Sequence, residues 1–264
     1  MVTYDFKEKV VLVTGGSSGL GRATAQSFAE SGAIVIIASR DPGKAQETMA
    51  SIKGEVEYIQ TDLSKMDQVD SLMSQIRTQF GRLDIVINCA AGDSGIGKTL
   101  EEFAMEEFDS TININLKSMW LVMKHAIALM KTKSPAAGHI VNVSSVNGLG
   151  GIEYGSLYAA TKAAVISLSK SAALELANTN IEVDVISPGA FDTPLLRKAM
   201  EMQTDGDPAK LQQVREKYMQ SIPAGRIGTP EEFARTVLWI CSEKPSYLFG
   251  NTFIIDGGMT SRMR

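Results

Sequence analysis

Ser145, Tyr158 and Lys162 are the residues of this chain whose types and spacing most readily do chemistry. Tyr158 and Lys162 are four apart in Tyr158-Ala159-Ala160-Thr161-Lys162, so on a helix their side chains lie one above the other on a single face. Ser145 follows an apolar run and can reach them from the end of a strand. A free tyrosine has a pKa of about 10 and is a poor base at neutral pH. A neighbouring ammonium, joined by a second positive charge such as an oxidised nicotinamide, would favour the phenolate and lower that value. The three residues then make a proton relay: Ser145 hydrogen-bonds a substrate oxygen, and Tyr158 gives that oxygen a proton or removes one. Lys162 would serve twice, tuning the phenol and holding the ribose hydroxyls beside it.

A second motif, Thr14-Gly15-Gly16-Ser17-Ser18-Gly19-Leu20-Gly21, directly follows the first apolar run and opens a helical pattern. Glycines there let the backbone turn tightly and approach a pyrophosphate, while free N–H groups at the helix start stabilise its charge. The motif lacks the Lys-Ser/Thr ending of a phosphate-binding loop, which argues against nucleotide hydrolysis.

These residues need a scaffold, and the chain supplies one. Apolar runs at Val10–Val13, Ile34–Ala38, Val56–Ile59, Ile85–Cys89, Ile140–Val143, Val183–Ile186 and Phe253–Ile255 imply seven strands. Helical periodicity between them places helices at about Leu20–Ser31, Lys44–Ile52, Met66–Phe80, Glu101–Met130, Tyr158–Ala177 and Glu231–Cys241. The alternation predicts an α/β fold: a doubly wound, Rossmann-type, seven-stranded parallel sheet flanked by helices. With 264 residues and no boundary-like linker, one domain spanning 1–264 is expected, with an insertion at about 194–223 interrupted by Thr204–Pro208.

Composition narrows the partners. A net charge of -4 with acids and bases interleaved offers no footprint for nucleic acid or an anionic membrane, so the expected partner is a small molecule. Cys89 and Cys241 sit in apolar runs and read as buried free thiols, which with the absence of a long apolar stretch suggests a soluble cytoplasmic protein. No metal site suggests itself. His125 and His139 lack motif partners and read as structural, and Glu101-Glu102 with Glu106-Glu107 read as a solvated helical face.

Taken in order along the chain, the motifs resemble those of the short-chain dehydrogenase/reductase family from Lys9 to Gly258. The matching segments are the glycine motif, Asp62-Leu63, Asn88-Cys89-Ala90-Ala91-Gly92, Asn115, Ser145, Tyr158 with Lys162, and Pro188-Gly189 through Thr193. The resemblance implies that Gly15, Ser17, Ser18, Gly19, Leu20 and Gly21 hold the cofactor's phosphates. It implies that Asp62 bonds the adenine amine with Leu63 lending its backbone, that Asn88 and Ala90 line the cofactor cleft, and that Phe191 and Thr193 meet the nicotinamide carboxamide. Asn115, in Asn115-Leu116-Lys117-Ser118, matches the position that kinks a helix and holds a water leading to Lys162, with Asn113 as the rival by proximity. The family's usual separation of thirteen selects Ser145 over Ser144. One departure stands out: the usual Asn-Asn-Ala-Gly is displaced, with glycine only at Gly92. A similar string occurs in dienoyl-thioester reductases, which are less similar where the catalytic Tyr should be, and Tyr158 favours carbonyl chemistry.

The resemblance also bears on cofactor and substrate. NAD-preferring relatives place an acid where this chain has Ser39; Ser39 followed by Arg40 offers a hydroxyl and a guanidinium to a 2′-phosphate, so NADP(H) is preferred and NAD(H) possible, with Asp41 competing for Arg40. The implied activity is hydride transfer between a nicotinamide and a carbonyl or secondary alcohol. The alternatives are an NAD-dependent alcohol dehydrogenase or an NADP(H)-sensing module that has lost catalysis. Substrate choice is expected in Asp93–Thr99, Val146–Leu157 and the insertion; the insertion's Leu211, Val214 and Tyr218, with Leu195, Leu196, Met200, Met202, Met219 and Ile222 nearby, form an apolar stripe that reads first as a cover for core and second as a mobile cover over an apolar substrate. The resemblance implies a homotetramer, to which an alanine-rich helix around Ala159–Ala173 would be suited.

Overall fold

The computed structural model describes residues 3–92, 95–204, 207–242 and 247–261. Asp93-Ser94, at the start of the first variable segment, and Asp205-Gly206, inside the expected helix breaker, lie outside them. Seven strands form one sheet: β1 (Val10–Thr14), β2 (Ile34–Ser39), β3 (Glu55–Gln60), β4 (Ile85–Asn88), β5 (Ala137–Val143), β6 (Asn180–Pro188) and β7 (Thr252–Ile255). Their spatial order is β3-β2-β1-β4-β5-β6-β7, every neighbouring pair parallel. The order reverses at β1, so β1 and β4 diverge in their connections and leave a crevice above their carboxyl ends.

Period-two alternation builds a core on each face. Val10 and Leu12 face one apolar cluster with Leu72, Val122 and Leu176, while Val11 and Val13 face the other with Phe28 and Phe233. The first cluster is roofed by α3 (Met66–Phe80), α5 (Ser118–Met130) and α6 (Ser156–Leu176), and the second by α1 (Gly19–Glu30) and α9 (Pro230–Cys241). The remaining helices are α2 (Pro42–Ser51), α4 (Met105–Ile112), α7 (Pro194–Glu201) and α8 (Pro208–Ser221). The insertion is thus two helices, α8 being started by Asp207, whose carboxylate accepts the Ala209 N–H at 2.8 Å.

The single helix expected over Glu101–Met130 is not continuous. A 3₁₀ turn at Leu100–Glu102 gives way to extended backbone at Phe103 and Ala104, α4 follows, and a π turn at Asn113–Lys117 joins it to α5. The acids expected to form a solvated face explain the first break. Glu102 accepts the Thr99 N–H at 2.9 Å and Glu107 the Ala104 N–H at 3.0 Å, so each caps a new start. His139 and His125 both acquire partners, His139 lying 3.0 Å from Asp184 across β5 and β6 and His125 3.1 Å from Asp70.

Candidate active site

The glycine motif forms the turn from β1 into α1, and its glycines are there because side chains would not fit. A Cβ on Gly15, at φ 66°, would lie 2.9 Å from the Ala90 Cα, and one on Gly21 would run into the Gly15 carbonyl. Gly19, at φ 52°, has Thr193 3.5 Å from where its Cβ would be, which brings the start of α7 over the start of α1. Ser18 is the N-cap residue of α1 but its side chain makes no capping bond, so the first N–H groups of the helix are not taken by a side-chain cap. Ser17 is fixed from behind, its carbonyl accepting the Thr48 hydroxyl at 3.2 Å, and Leu20 packs against the second core cluster. Thr14, which no motif argument singled out as a contact, ties this turn to β4: its hydroxyl accepts the N–H groups of Cys89 and Ala90 at 3.1 and 3.2 Å.

At the end of β4, Asn88 donates to Asn142 at 2.8 Å and Asn142 donates to Ser169 at 2.8 Å, a buried polar chain running from the crevice to α6. The Asn88 side-chain oxygen, Oδ1, has no partner among the described residues. Asn142 and Ser169 were not anticipated; a polar residue inside an apolar strand run was their one signal. Burial pushes the neighbouring Cys89 thiol to about 12, so it is held as a thiol. The displaced Gly92 has a use: its N–H donates to Asn115 Oδ1 at 2.9 Å. Asn115 is fully buried in the π turn and its Nδ2 has no partner among the described residues, whereas Asn113 begins the turn half-exposed.

Ser145, Tyr158 and Lys162 are buried side by side above β5. The Lys162 ammonium lies 5.7 Å from the Tyr158 ring centroid and donates to the Val143 carbonyl at 3.0 Å. Ser144 and Ser145 divide their work. The Ser144 hydroxyl donates to the Lys162 carbonyl at 2.7 Å and so latches α6 to β5, while Ser145 Oγ accepts the Asn147 N–H at 3.2 Å and keeps its own proton to donate. Gly148 is needed beside them, because a Cβ there would sit 2.7 Å from the Lys162 backbone. The expected lowering of the phenol by its lysine is not what the protein alone produces. Burial holds Tyr158 above its ordinary value, opposed by the Ser145 hydroxyl, and burial brings Lys162 down to about 8.

The outer contacts fall along the same crevice. Ser39 is buried at the end of β2 and its hydroxyl has no partner among the described residues. Arg40 is exposed next to it, and Asp41 is occupied otherwise, capping α2 through the Lys44 N–H at 3.1 Å and lying 3.6 Å from the Lys44 ammonium. Burial works to raise the Asp62 pKa, but hydrogen bonds from Ser64 and the Arg40 charge outweigh it and hold the carboxyl low. Leu63 lines the inner end of the crevice with Thr14, Asn88 and Ala90. Pro188 ends β6, and Gly189 lies too close to Asp256 for a side chain, a Cβ there being 2.9 Å from the Asp256 Cα. Thr193 caps α7, accepting the Leu196 N–H at 3.2 Å. Phe191, just before Thr193, is buried in the second core cluster, its ring edge-on to Phe233 with 5.9 Å between centroids.

Comparison with known proteins shows the family and the fold. The family profile described as "Enoyl-(Acyl carrier protein) reductase" matches residues 15–260. The chain belongs to the short-chain dehydrogenase/reductase family. It is 34% identical over 256 residues to a 3-oxoacyl-acyl-carrier-protein reductase of Thermotoga maritima, covering 95% of this chain and 97% of that one. Identity to a levodione reductase of Leifsonia aquatica is 33% over 264 residues, covering 98% and 97%. A crystal structure of levodione reductase superposes with a TM-score of 0.91 at 31% identity, covering 98% of this chain and 100% of that one. As a short-chain dehydrogenase/reductase, the chain is an oxidoreductase acting between alcohol and carbonyl groups.

Proposed function

We propose that this enzyme is an NADP(H)-dependent carbonyl reductase or alcohol dehydrogenase of a small molecule, with Tyr158 as its general acid and base. The observation that carries the reading is the burial of Ser145, Tyr158 and Lys162 together above β5, alongside a β1–α1 turn whose glycines let backbone pack on backbone. The residues fit that cofactor: the uncapped start of α1 suits a pyrophosphate, and the unpartnered oxygen of Asn88 and hydroxyl of Ser39 await donors or acceptors along its length. Bound there, a nicotinamide supplies the hydride for reduction or accepts it in oxidation. Ser145 donates to the substrate oxygen and Tyr158 delivers or withdraws its proton. With the positive charge of an oxidised nicotinamide beside it, the Lys162 ammonium, 5.7 Å from the phenol ring, would favour the phenol's anion, and the buried Asn115 amide would hold a water on the route out.

The same reading assigns NADP(H), because Ser39 presents a desolvated hydroxyl and Arg40 a guanidinium that Asp41 does not take. Arg40→Ala is expected to lower kcat/KM for NADPH about tenfold or more and to leave NADH within about twofold, since a charge-assisted phosphate contact contributes roughly 1.5–3 kcal/mol. Equal losses with both cofactors, or a wild type that turns over NADH more efficiently than NADPH, would end the assignment.

We place the enzyme in the cytoplasm, with Cys89 and Cys241 not joined in a disulfide. The helical pair α7 and α8 serves as the cover of the site. We also read a homotetramer from two separate outward apolar surfaces, one with Trp120 and Leu174 on α5 and α6, the other with Trp239 and Ile254 on α9 and β7. Two different twofold contacts are what a closed tetramer requires. Sedimentation should give the mass of four chains at micromolar concentration; a monomer there refutes it.

A further inference from the structure

We infer that Tyr154 positions the substrate and that the mouth of the site selects neutral, apolar ketones and their secondary alcohols over anionic acyl thioesters. The inference rests on the hydride-transfer reading above. Tyr154 has a φ of 57°, in the left-handed region that bulky side chains rarely enter. It is held there from outside: the Gly97 N–H donates to the Tyr154 carbonyl at 2.5 Å, and Gly97 is itself at φ 98°. Two residues earlier, Gly95 accepts the Tyr158 N–H at 3.3 Å, so the loop that fixes Tyr154 also abuts the catalytic tyrosine. Backbone strain of this kind persists only where the surroundings impose it, and here it raises an aromatic ring, 59% exposed, four residues before the phenol.

The ring does not stand alone. Leu149 and Ile152 are exposed on the same segment between Ser145 and Tyr158. From the other side, Met202 at the end of α7 reaches over Gly97, its Cε 3.6 Å from where a Cβ on that glycine would be, and Leu195 opens the same helix beside Thr193. Large apolar side chains held open at a catalytic mouth bury area only when an apolar substrate arrives. Charge argues the same way. The cations of these segments are engaged: Lys98 lies 2.7 Å from Glu107, Arg197 2.8 Å from Asp192, and Lys198 also has a partner. Glu153, adjacent to Tyr154, adds negative charge against an anionic substrate.

The test compares wild type, Tyr154→Asn and Tyr154→Phe with NADPH and three carbonyls: 4-tert-butylcyclohexanone, 2-butanone and acetoacetyl-coenzyme A. Asparagine tolerates the left-handed region and so keeps the backbone while removing the ring; phenylalanine keeps the ring. Wild type should reduce the cyclohexanone with a kcat/KM at least about tenfold above that for acetoacetyl-coenzyme A. Tyr154→Asn should raise KM for the cyclohexanone about tenfold with kcat within about threefold, leave 2-butanone within about twofold, and Tyr154→Phe should match wild type. An unchanged KM in Tyr154→Asn overturns the role of Tyr154. Preference for acetoacetyl-coenzyme A overturns the substrate class but leaves hydride transfer intact, whereas no turnover of any of the three with either NADPH or NADH overturns both.

Discussion

Tyr158→Phe should lower kcat for carbonyl reduction by about 10³-fold or more while NADPH still binds within about threefold of wild type, because general acid catalysis contributes typically 10²–10⁴-fold. Only one oxygen is removed. The ring stays buried and its backbone remains fixed by the Gly95 carbonyl, so neither the crevice nor the start of α6 should move. A loss of that size is about 4 kcal/mol of transition-state stabilisation at roughly 1.4 kcal/mol per decade. Steady-state turnover with fluorescence titration of NADPH separates the two quantities. Loss of cofactor binding in step with turnover would make Tyr158 a binding residue, and retained turnover would remove it from the chemistry.

Lys162→Met is expected to do two opposite things: lower kcat/KM by about 10²-fold or more and make the protein more stable. The activity falls because the ammonium beside the phenol is gone. The stability gain follows from burial, which depresses Lys162 from 10.5 to about 8 in the fold. Between those values the unfolded chain binds more protons than the folded one, so stability rises with pH through that window and the folded state bears the full penalty below it. Removing the amine abolishes a penalty of roughly 3 kcal/mol at about 1.4 kcal/mol per pKa unit and loses one bond to Val143 worth about 1 kcal/mol. The net is a gain of about 2 kcal/mol, or roughly 4–8 °C in Tm for a chain of this size. Urea unfolding at pH 7 and at pH 10 would show the gain shrinking at the higher pH; a variant no more stable than wild type would mean that the charge is compensated in the fold.

The inner strands β2, β1, β4, β5 and β6 were legible because strands buried on both faces are written as apolar runs. The half-exposed edge strands β3 and β7 keep short runs, and each predicted run lies within or overlaps an observed strand. The helix expected over Glu101–Met130 was not, since its apolar period continues through a capping restart that depends on where Glu102 and Glu107 reach, and through a π turn that depends on the Gly92 bond to Asn115. In the site, Tyr158 and Lys162 were legible from their spacing, but the direction of the Tyr158 shift was not, because spacing says nothing of burial. Ser144 carries the same letter as Ser145 and differs only in facing the Lys162 carbonyl. Phe191 sits in a motif, but the packing of its ring on Phe233 comes from a helix distant in sequence, which no local pattern announces. Tyr154 left no pattern at all; its significance lies in a dihedral angle imposed by Gly97.

The most direct test of the account is isotope transfer in a single turnover. NADPH deuterated on the transferred position of nicotinamide C4 is mixed in ordinary water with excess enzyme and a neutral ketone, and the product alcohol is read by mass spectrometry and NMR. One deuterium at the carbinol carbon, with the hydroxyl hydrogen drawn from solvent, and a transfer rate that drops about 10³-fold in Tyr158→Phe, is the predicted result. Product without deuterium at that carbon, or the same transfer rate in Tyr158→Phe, would contradict it.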